Sequence, residues 1–260
     1  MSDSTRSGPL RIERLEANRV WRVVIDAPKA NLVDRAAARA LAGVAAAAAA
    51  EPTVRAVVIE GAGAHFSFGA SVKEHLPGEV GEMLPEFHAT FRAMLDAPVV
   101  WLAAVRGRCL GGGLELATFC HRVFASPDAQ LGQPEIVLGV FAPVGGTFLP
   151  DRIGRPAAED LCLTGRTVAA DEALRMHLVD EVVPDPGEAA LAWVRTHLLP
   201  RSAASLRCAV RAMRAGWRRR FEADLAEAER IFLSELMATK DAVEGLDAFL
   251  GKRTPVWRDA

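Results

Sequence analysis

Val99-Val100-Trp101-Leu102-Ala103-Ala104-Val105-Arg106-Gly107-Arg108-Cys109-Leu110-Gly111-Gly112-Gly113-Leu114-Glu115-Leu116 decides the fold class. Its first seven residues are apolar and bounded by Pro98, the mark of a short buried strand. A glycine-rich turn follows, and a helix is expected from about Gly113 to Phe119. The same order, apolar strand then glycine turn, appears upstream: Val54 to Glu60 leads into Gly61-Ala62-Gly63 and on to Phe66-Ser67-Phe68-Gly69-Ala70-Ser71. Further out, Leu10 to Leu15 and Val20 to Ile25 read as strands around a turn at Ala17 and Asn18. A helix is expected from Arg35 through the run Ala45 to Ala50, because alanine is the best helix former. Leu84, Phe87, Phe91, Met94 and Leu95 have helical spacing, and Val123 to Ala125 reads as another short strand. Strands alternating with helices predict an α/β fold.

From Arg155 onward the pattern is almost wholly helical, interrupted by Val179 to Val183. Pro184-Asp185-Pro186-Gly187 is the sharpest break, since proline and glycine end both helices and strands. Beyond it, Ser202 to Ala215, Phe221 to Met237 and Thr239 to Leu250 read as three helices. In the second, Phe221, Leu225, Ala228, Phe232 and Leu236 form a stripe expected to face a core or a subunit contact rather than a membrane. The expected organisation is a flexible tail over residues 1–9, a core over 10–200 and a helical region over 201–260.

Composition bounds the function. The chain has 260 residues, 50% hydrophobic and 25% charged, so it can bury a core without staples. Its formal charge of -2 gives no general attraction to nucleic acid or anionic membrane. There is no run of about 18 apolar residues and no signal-peptide pattern in Met1 to Pro9. Cys109, Cys120, Cys162 and Cys208 form no Cys-x-x-Cys motif, and no cluster of His and Cys suggests a metal. A reduced, cytoplasmic protein is expected. Tyrosine is absent, which removes one candidate acid.

The glycine turns are not nucleotide loops. Phe66 stands where a dinucleotide fingerprint needs its third glycine, and no Gly-Lys-Ser/Thr follows either turn. Unpaired N–H groups at a helix start carry partial positive charge, and glycine allows a ligand to approach them. Two such groups converging on one oxygen would stabilise negative charge developing there. Close packing of chain segments would use the same glycines equally well.

Two carboxylates weigh against mere packing. Glu115 falls in the first turn of an otherwise apolar helix. Glu135 lies 20 positions later in the apolar, glycine-bounded stretch Gly132-Gln133-Pro134-Glu135-Ile136-Val137-Leu138-Gly139. Burial would raise the pKa of such a carboxyl and let it hold a proton near neutrality. A facing pair could then divide acid and base work.

Gly61-x-Gly63-x-x-Phe66-x-x-Gly69-Ala70, Gly107-x-x-x-Gly111-Gly112-Gly113-x-Glu115 and Gly132-Gln133-Pro134-Glu135 together closely resemble the enoyl-CoA hydratase/isomerase (crotonase) family. The resemblance runs from about Leu10 to Trp257. It implies a crotonase-like spiral of ββα units with a C-terminal helical region that mediates trimers or hexamers. It also implies an oxyanion hole made by the N–H groups of Ala70 and Gly112, with Glu115 as the base for water and Glu135 as the donor to the α-carbon. Lys29, Gly69, Ser71, Lys73, Gly111, Phe141 and Lys252 fall where the family binds substrate or CoA. No metal or other cofactor is implied; CoA arrives within the acyl thioester. The reading is a hydro-lyase acting on an enoyl-CoA, with a double-bond isomerase or a catalytically silent acyl-CoA-binding protein as alternatives.

Three positions depart from the family pattern. Ser71 replaces an aspartate, Phe141-Ala142-Pro143-Val144-Gly145-Gly146 follows Glu135, and His177 occupies a helix end that usually takes glycine. The Phe68 to Ser71 and Gly139 to Pro143 segments look more like cyclic dienoyl-CoA hydratases, and both cyclic and straight-chain acyl groups remain open. A serine–histidine hydrolase built on Ser71 with His65 or His75 lacks nucleophile-elbow spacing. His121 is expected to cap a helix end, and Arg214 to Arg220 to be a solvated helix end.

Overall fold

The computed structural model describes residues 3–27 and 30–260. Its larger sheet has the spatial order β1 (Asp3–Ser7), β2 (Leu10–Leu15), β3 (Val20–Ile25), β4 (Ala56–Gly61), β5 (Val100–Val105), β7 (Arg122–Ala125) and β10 (Glu181–Val182). The first two pairings are antiparallel and the remaining four are parallel. A smaller sheet joins β6 (Arg108–Leu110), β8 (Gln130–Gly132) and β9 (Thr167–Ala169).

Every residue of β5 is buried, because helices cover both faces of the parallel region. Trp101, Ala103 and Val105 face the main core with alternate residues of β4 (Val57 and Ile59). That core is closed by α1 (Arg35–Ala50), α2 (Val80–Asp96) and α3 (Gly112–Phe119). Val100, Leu102 and Ala104 face a second core. The chain continues through α4 (Pro143–Ile153), α5 (Arg155–Thr164), α6 (Ala170–Arg175) and α7 (Pro186–His197), and Ala190, Leu191 and Val194 of α7 fill that second core. α1 starts where the Asp34 side chain accepts the Ala37 N–H at 2.9 Å, an N-cap.

Several expectations need correction. Residues 3–7, read as part of a flexible tail, form β1 against β2. The alternation there is polar throughout, so nothing apolar announced a strand; an edge strand with one paired side can be built of such residues. The two expected helices over Ser202–Ala215 and Phe221–Met237 begin as one, α8 (Ala203–Arg230). Its middle stays helical because Arg218 bonds Glu222 one turn on at 2.9 Å and Asp96 of α2 at 2.5 Å. The helix widens only at Ile231–Glu235, before α9 (Lys240–Leu250). Phe221, Leu225 and Phe232 of the expected stripe join the main core.

The Pro184–Gly187 break is a connection from sheet to helix. Val183 donates to the Ala125 carbonyl at 2.9 Å, and Asp185 caps α7 by accepting the Glu188 N–H at 3.1 Å. Arg214 is no solvated helix end: it lies mid-helix over the rings of Phe119 and Trp217 and donates to the Phe119 carbonyl at 3.2 Å. Burial pushes its pKa down to about 10. His121 does not cap a helix; its Nδ1 accepts the Trp101 N–H at 3.0 Å. His177 does adopt a left-handed backbone, φ 62°.

Candidate active site

The site begins with two glycines at positive φ, Gly69 at 101° and Gly111 at 53°. Each immediately precedes a residue expected in the oxyanion hole, Ala70 and Gly112. The two turns are stitched together. Ser67 bridges Cys109, Leu110 donates to the Ser67 carbonyl at 3.0 Å, and Gly111 donates to the Gly132 carbonyl at 2.9 Å. A Cβ on Gly112 would stand 3.3 Å from the Ala70 nitrogen, and one on Gly69 would stand 3.4 Å from the Gly112 nitrogen. The two amides therefore share one small space. Neither N–H donates a hydrogen bond to another described residue; Gly112 opens α3, where the helix offers its first amides no acceptor. The Phe87 ring of α2 walls this space, since a Cβ on Gly112 would lie 2.9 Å from its Cζ.

Glu115 sits one turn into α3 and is 2% exposed. Its Oε1 accepts the Gly145 N–H at 2.6 Å. Pro143 starts α4, so Gly145 offers one of that helix's unpaired amides. Glu135 comes from a separate element, the short 3₁₀ turn Pro134–Leu138 that ends at left-handed Gly139, φ 72°. Its Oε1 accepts Gln133 Nε2–H at 2.9 Å, whereas Oε2 is sealed from solvent and has no partner among the described residues.

Both carboxyls titrate well above the ordinary carboxylate range. Burial is the larger cause for each, and for Glu115 the nearby Glu135 charge adds to it. Hydrogen bonds from the Gly145 and Val144 amides oppose the rise at Glu115, and at Glu135 its own main-chain N–H and, after it, Gln133 do the same, without cancelling it. Coupled carboxyls titrate as a pair, so the first proton lost belongs to both. Carboxyls enclosed in this way keep a proton to higher pH than exposed ones do.

The remaining expected residues divide. Ser71 follows Ala70 directly, and its carbonyl accepts the His75 Nδ1–H at 2.8 Å. This is a main-chain bond; among the described residues no histidine meets the Ser71 hydroxyl, so the hydrolase arrangement is not assembled. Burial lowers the His75 pKa and keeps that ring neutral. Phe141 is half-buried and packs its ring 5.3 Å from Phe232, which in turn lies 6.3 Å from the His75 ring. His75, Phe232 and Phe141 thus form one run of ring contacts, with Phe232 buried in the main core. Lys73 and Lys252 are exposed, the latter just past α9, and Lys29 lies outside the described residues.

Sequence reasoning gave no role to Gln133, Gly145, Phe87 or Cys162. Gln133 was visible inside the motif that carries Glu135, and Gly145 only as a glycine near a helix-starting proline. Cys162 lies on α5, whose C-terminal Gly165 packs on the Glu135 turn: a Cβ there would lie 2.6 Å from Val137. Burial and both glutamates push the Cys162 thiol up to about 12. Among the described residues no cluster of three or more His, Cys, Asp or Glu side chains could hold a metal ion. No described helix is long and apolar enough to cross a membrane.

Comparison with known proteins identifies the family. Residues 16–260 match the family model for enoyl-CoA hydratase/isomerase. The chain is 46% identical over 256 residues to cyclohexa-1,5-dienecarbonyl-CoA hydratase of Thauera aromatica, covering 98% of this chain and 99% of that one. It is 33% identical over 243 residues to 2,3-dehydroadipyl-CoA hydratase of Escherichia coli, with 91% and 94% covered. Among solved structures, carnitinyl-CoA hydratase from Mycobacterium avium superposes with a TM-score of 0.84 at 34% identity, covering 98% of this chain and 100% of that one. The chain belongs to the enoyl-CoA hydratase/isomerase family, with a crotonase fold.

Proposed function

We propose that the protein is an acyl-CoA hydratase, a hydro-lyase that adds water across the conjugated C=C bond of an enoyl-CoA or cyclic dienoyl-CoA thioester. The observation that carries this reading is one site holding two free main-chain amides beside two enclosed carboxyls of raised pKa. The thioester oxygen receives the N–H groups of Ala70 and Gly112. Glu115, as the carboxylate, takes a proton from water while the water oxygen bonds to the β-carbon. The C=C electrons move onto the thioester oxygen, where the two amides stabilise the enolate-like charge. As that charge collapses, Glu135 delivers its proton to the α-carbon. The pair thus begins and ends with one proton, moved from one carboxyl to the other, and the reverse sequence is dehydration. No redox change occurs, so the chemistry asks for no cofactor beyond the CoA in the substrate.

The identity to the Thauera aromatica hydratase favours a cyclic acyl group. Gly69, Ser71, Gly111 and Phe141 line the acyl side; Lys29, Lys73 and Lys252 serve the CoA phosphates. A cytoplasmic location accords with four free cysteines. Assembly into trimers or hexamers through the C-terminal region accords with the exposed side chains of Phe249, Val256 and Trp257. Light scattering on a size-exclusion column measures that state.

Purified protein offered crotonyl-CoA and a cyclic dienoyl-CoA should remove the absorbance of the conjugated thioester. Glu115→Gln and Glu135→Gln should each abolish that loss. Double-bond migration without water uptake would make the protein an isomerase, and binding without turnover across enoyl-CoAs would make it a silent binder.

A further inference from the structure

We infer that Gln133 is a positioning residue that decides which oxygen of Glu135 carries the transferable proton, a role resting on the reading of Glu135 as the acid. The two oxygens of that carboxyl are not equivalent. Oε1 accepts the Gln133 Nε2–H at 2.9 Å, and a Cβ on Gly111 would come within 2.6 Å of the same oxygen. Oε1 is thereby held between a donor and the head of α3. An oxygen receiving an N–H cannot also hold its own hydrogen in that direction, because two hydrogens would meet. The protonated acid therefore carries its hydrogen on Oε2, the sealed oxygen without a partner.

The surroundings of Gln133 suit this task. The residue is 1% exposed, and Pro134 between it and Glu135 restricts the backbone that sets the distance between the two side chains. Its own Oε1 has no donor among the described residues and faces Gly145, where a Cβ would lie 3.4 Å away. Gly145 is the residue whose N–H holds Glu115. A buried amide with an unused acceptor is costly to keep, and here it stands between the groups that hold both acids. The other titratable groups near Glu135 are Glu115 from α3 and Cys162 from α5; Asp241 and Asp259 line the outer side of the same turn with Val137 and Gly139.

Gln133→Met keeps the side-chain length and removes both polar ends. It should lower kcat for hydration roughly tenfold to a hundredfold with KM within about twofold. The limb of the kcat–pH profile set by Glu135 should move to higher pH, because the lost N–H favours the ionised form. Exchange of the α-hydrogen of a saturated acyl-CoA for deuterium, which needs Glu135 but no added water, should fall in parallel. Gln133→Asn, which withdraws the amide by one methylene, should move all three readouts in the same direction and stands in if the methionine variant does not fold. An unmoved pH limb with undiminished exchange, in either folded variant, overturns the inference whatever happens to kcat. Glu135→Gln is measured alongside: if it still hydrates, the reading of Glu135 as the acid has failed. If it is inactive while the Gln133 variants behave as wild type, only the role of Gln133 has failed.

Discussion

A Cβ on Gly111 would stand 2.6 Å from Oε1 of Glu135, so the head of α3 and the carboxyl from the turn after β8 meet only because residue 111 has no side chain. Its φ of 53° adds a second reason for glycine. Gly111→Ala should displace Glu135 and twist the neighbouring Gly112 amide at once. Activity should fall at least about a hundredfold, and stability by roughly 1–3 kcal/mol. Steady-state kinetics and a denaturant titration check this; near-wild-type kcat would show that the contact does not set the acid's place.

Gly112→Ala tests the amides while sparing both acids. The new Cβ would lie 3.3 Å from the Ala70 nitrogen and 2.9 Å from the Phe87 ring, inside the space assigned to the thioester oxygen. A loss of about 10²–10³ in kcat is expected, the scale of a lost oxyanion donor. Phe87→Leu in the same background relieves the ring contact and should restore folding but not turnover. Full recovery of kcat would show that only packing was at stake.

The acid pair should also leave a mark on stability. Both carboxyls have folded-state pKa values above the ordinary 4.5, so above that value the native chain binds more protons than the unfolded one. Their contribution to stability is therefore intact at low pH and is lost as pH rises through the raised values. Replacing both with glutamine removes that loss. The double variant should be more stable than wild type by roughly 2–4 kcal/mol at about pH 8, with the gain vanishing near pH 4–5. Thermal melts of both proteins across pH measure the difference; a gain that does not grow with pH contradicts the raised pKa values of the enclosed pair.

Thiol chemistry gives an independent check on placement. Cys109 and Cys120 are buried with raised pKa values, and the Cys162 thiol is pushed up to about 12, so none offers thiolate at neutral pH. Cys208 is exposed on α8. A thiol reagent should titrate one group rapidly in the native protein and four after unfolding. Rapid reaction of Cys162 would mean that α5 does not seal the acid side of the site.

Much of the fold was legible because its strands and helices carry strong apolar periods. Leu10–Leu15, Val20–Ile25 and Arg35–Ala50 begin and end where their patterns do. The strands β6, β8 and β9 escaped because each has three residues, too short for alternation to show. The unbroken middle of α8 escaped because Gly216 and an arginine run look like a break until their partners on α2 and α3 are known. In the site, the glycines and the two glutamates stood out by residue type. Gln133 did not, since a glutamine beside a proline says nothing until its amide is seen against a carboxyl. Arg214 misled for the converse reason: a cation in a basic run reads as solvated, and only the rings of Phe119 and Trp217 show where it lies.

The free amides that share this site belong to the peptide groups that follow Gly69 and Gly111. Exchanging a side chain cannot delete a peptide N–H; only proline does that, and other changes merely redirect it. On the proposed reading, such a scaffold can trade away either glutamate, and with it the reaction, while its means of accepting charge on a bound carbonyl survives. Divergence of chemistry is then a matter of which side chains arrive around a fixture that heredity can hardly lose.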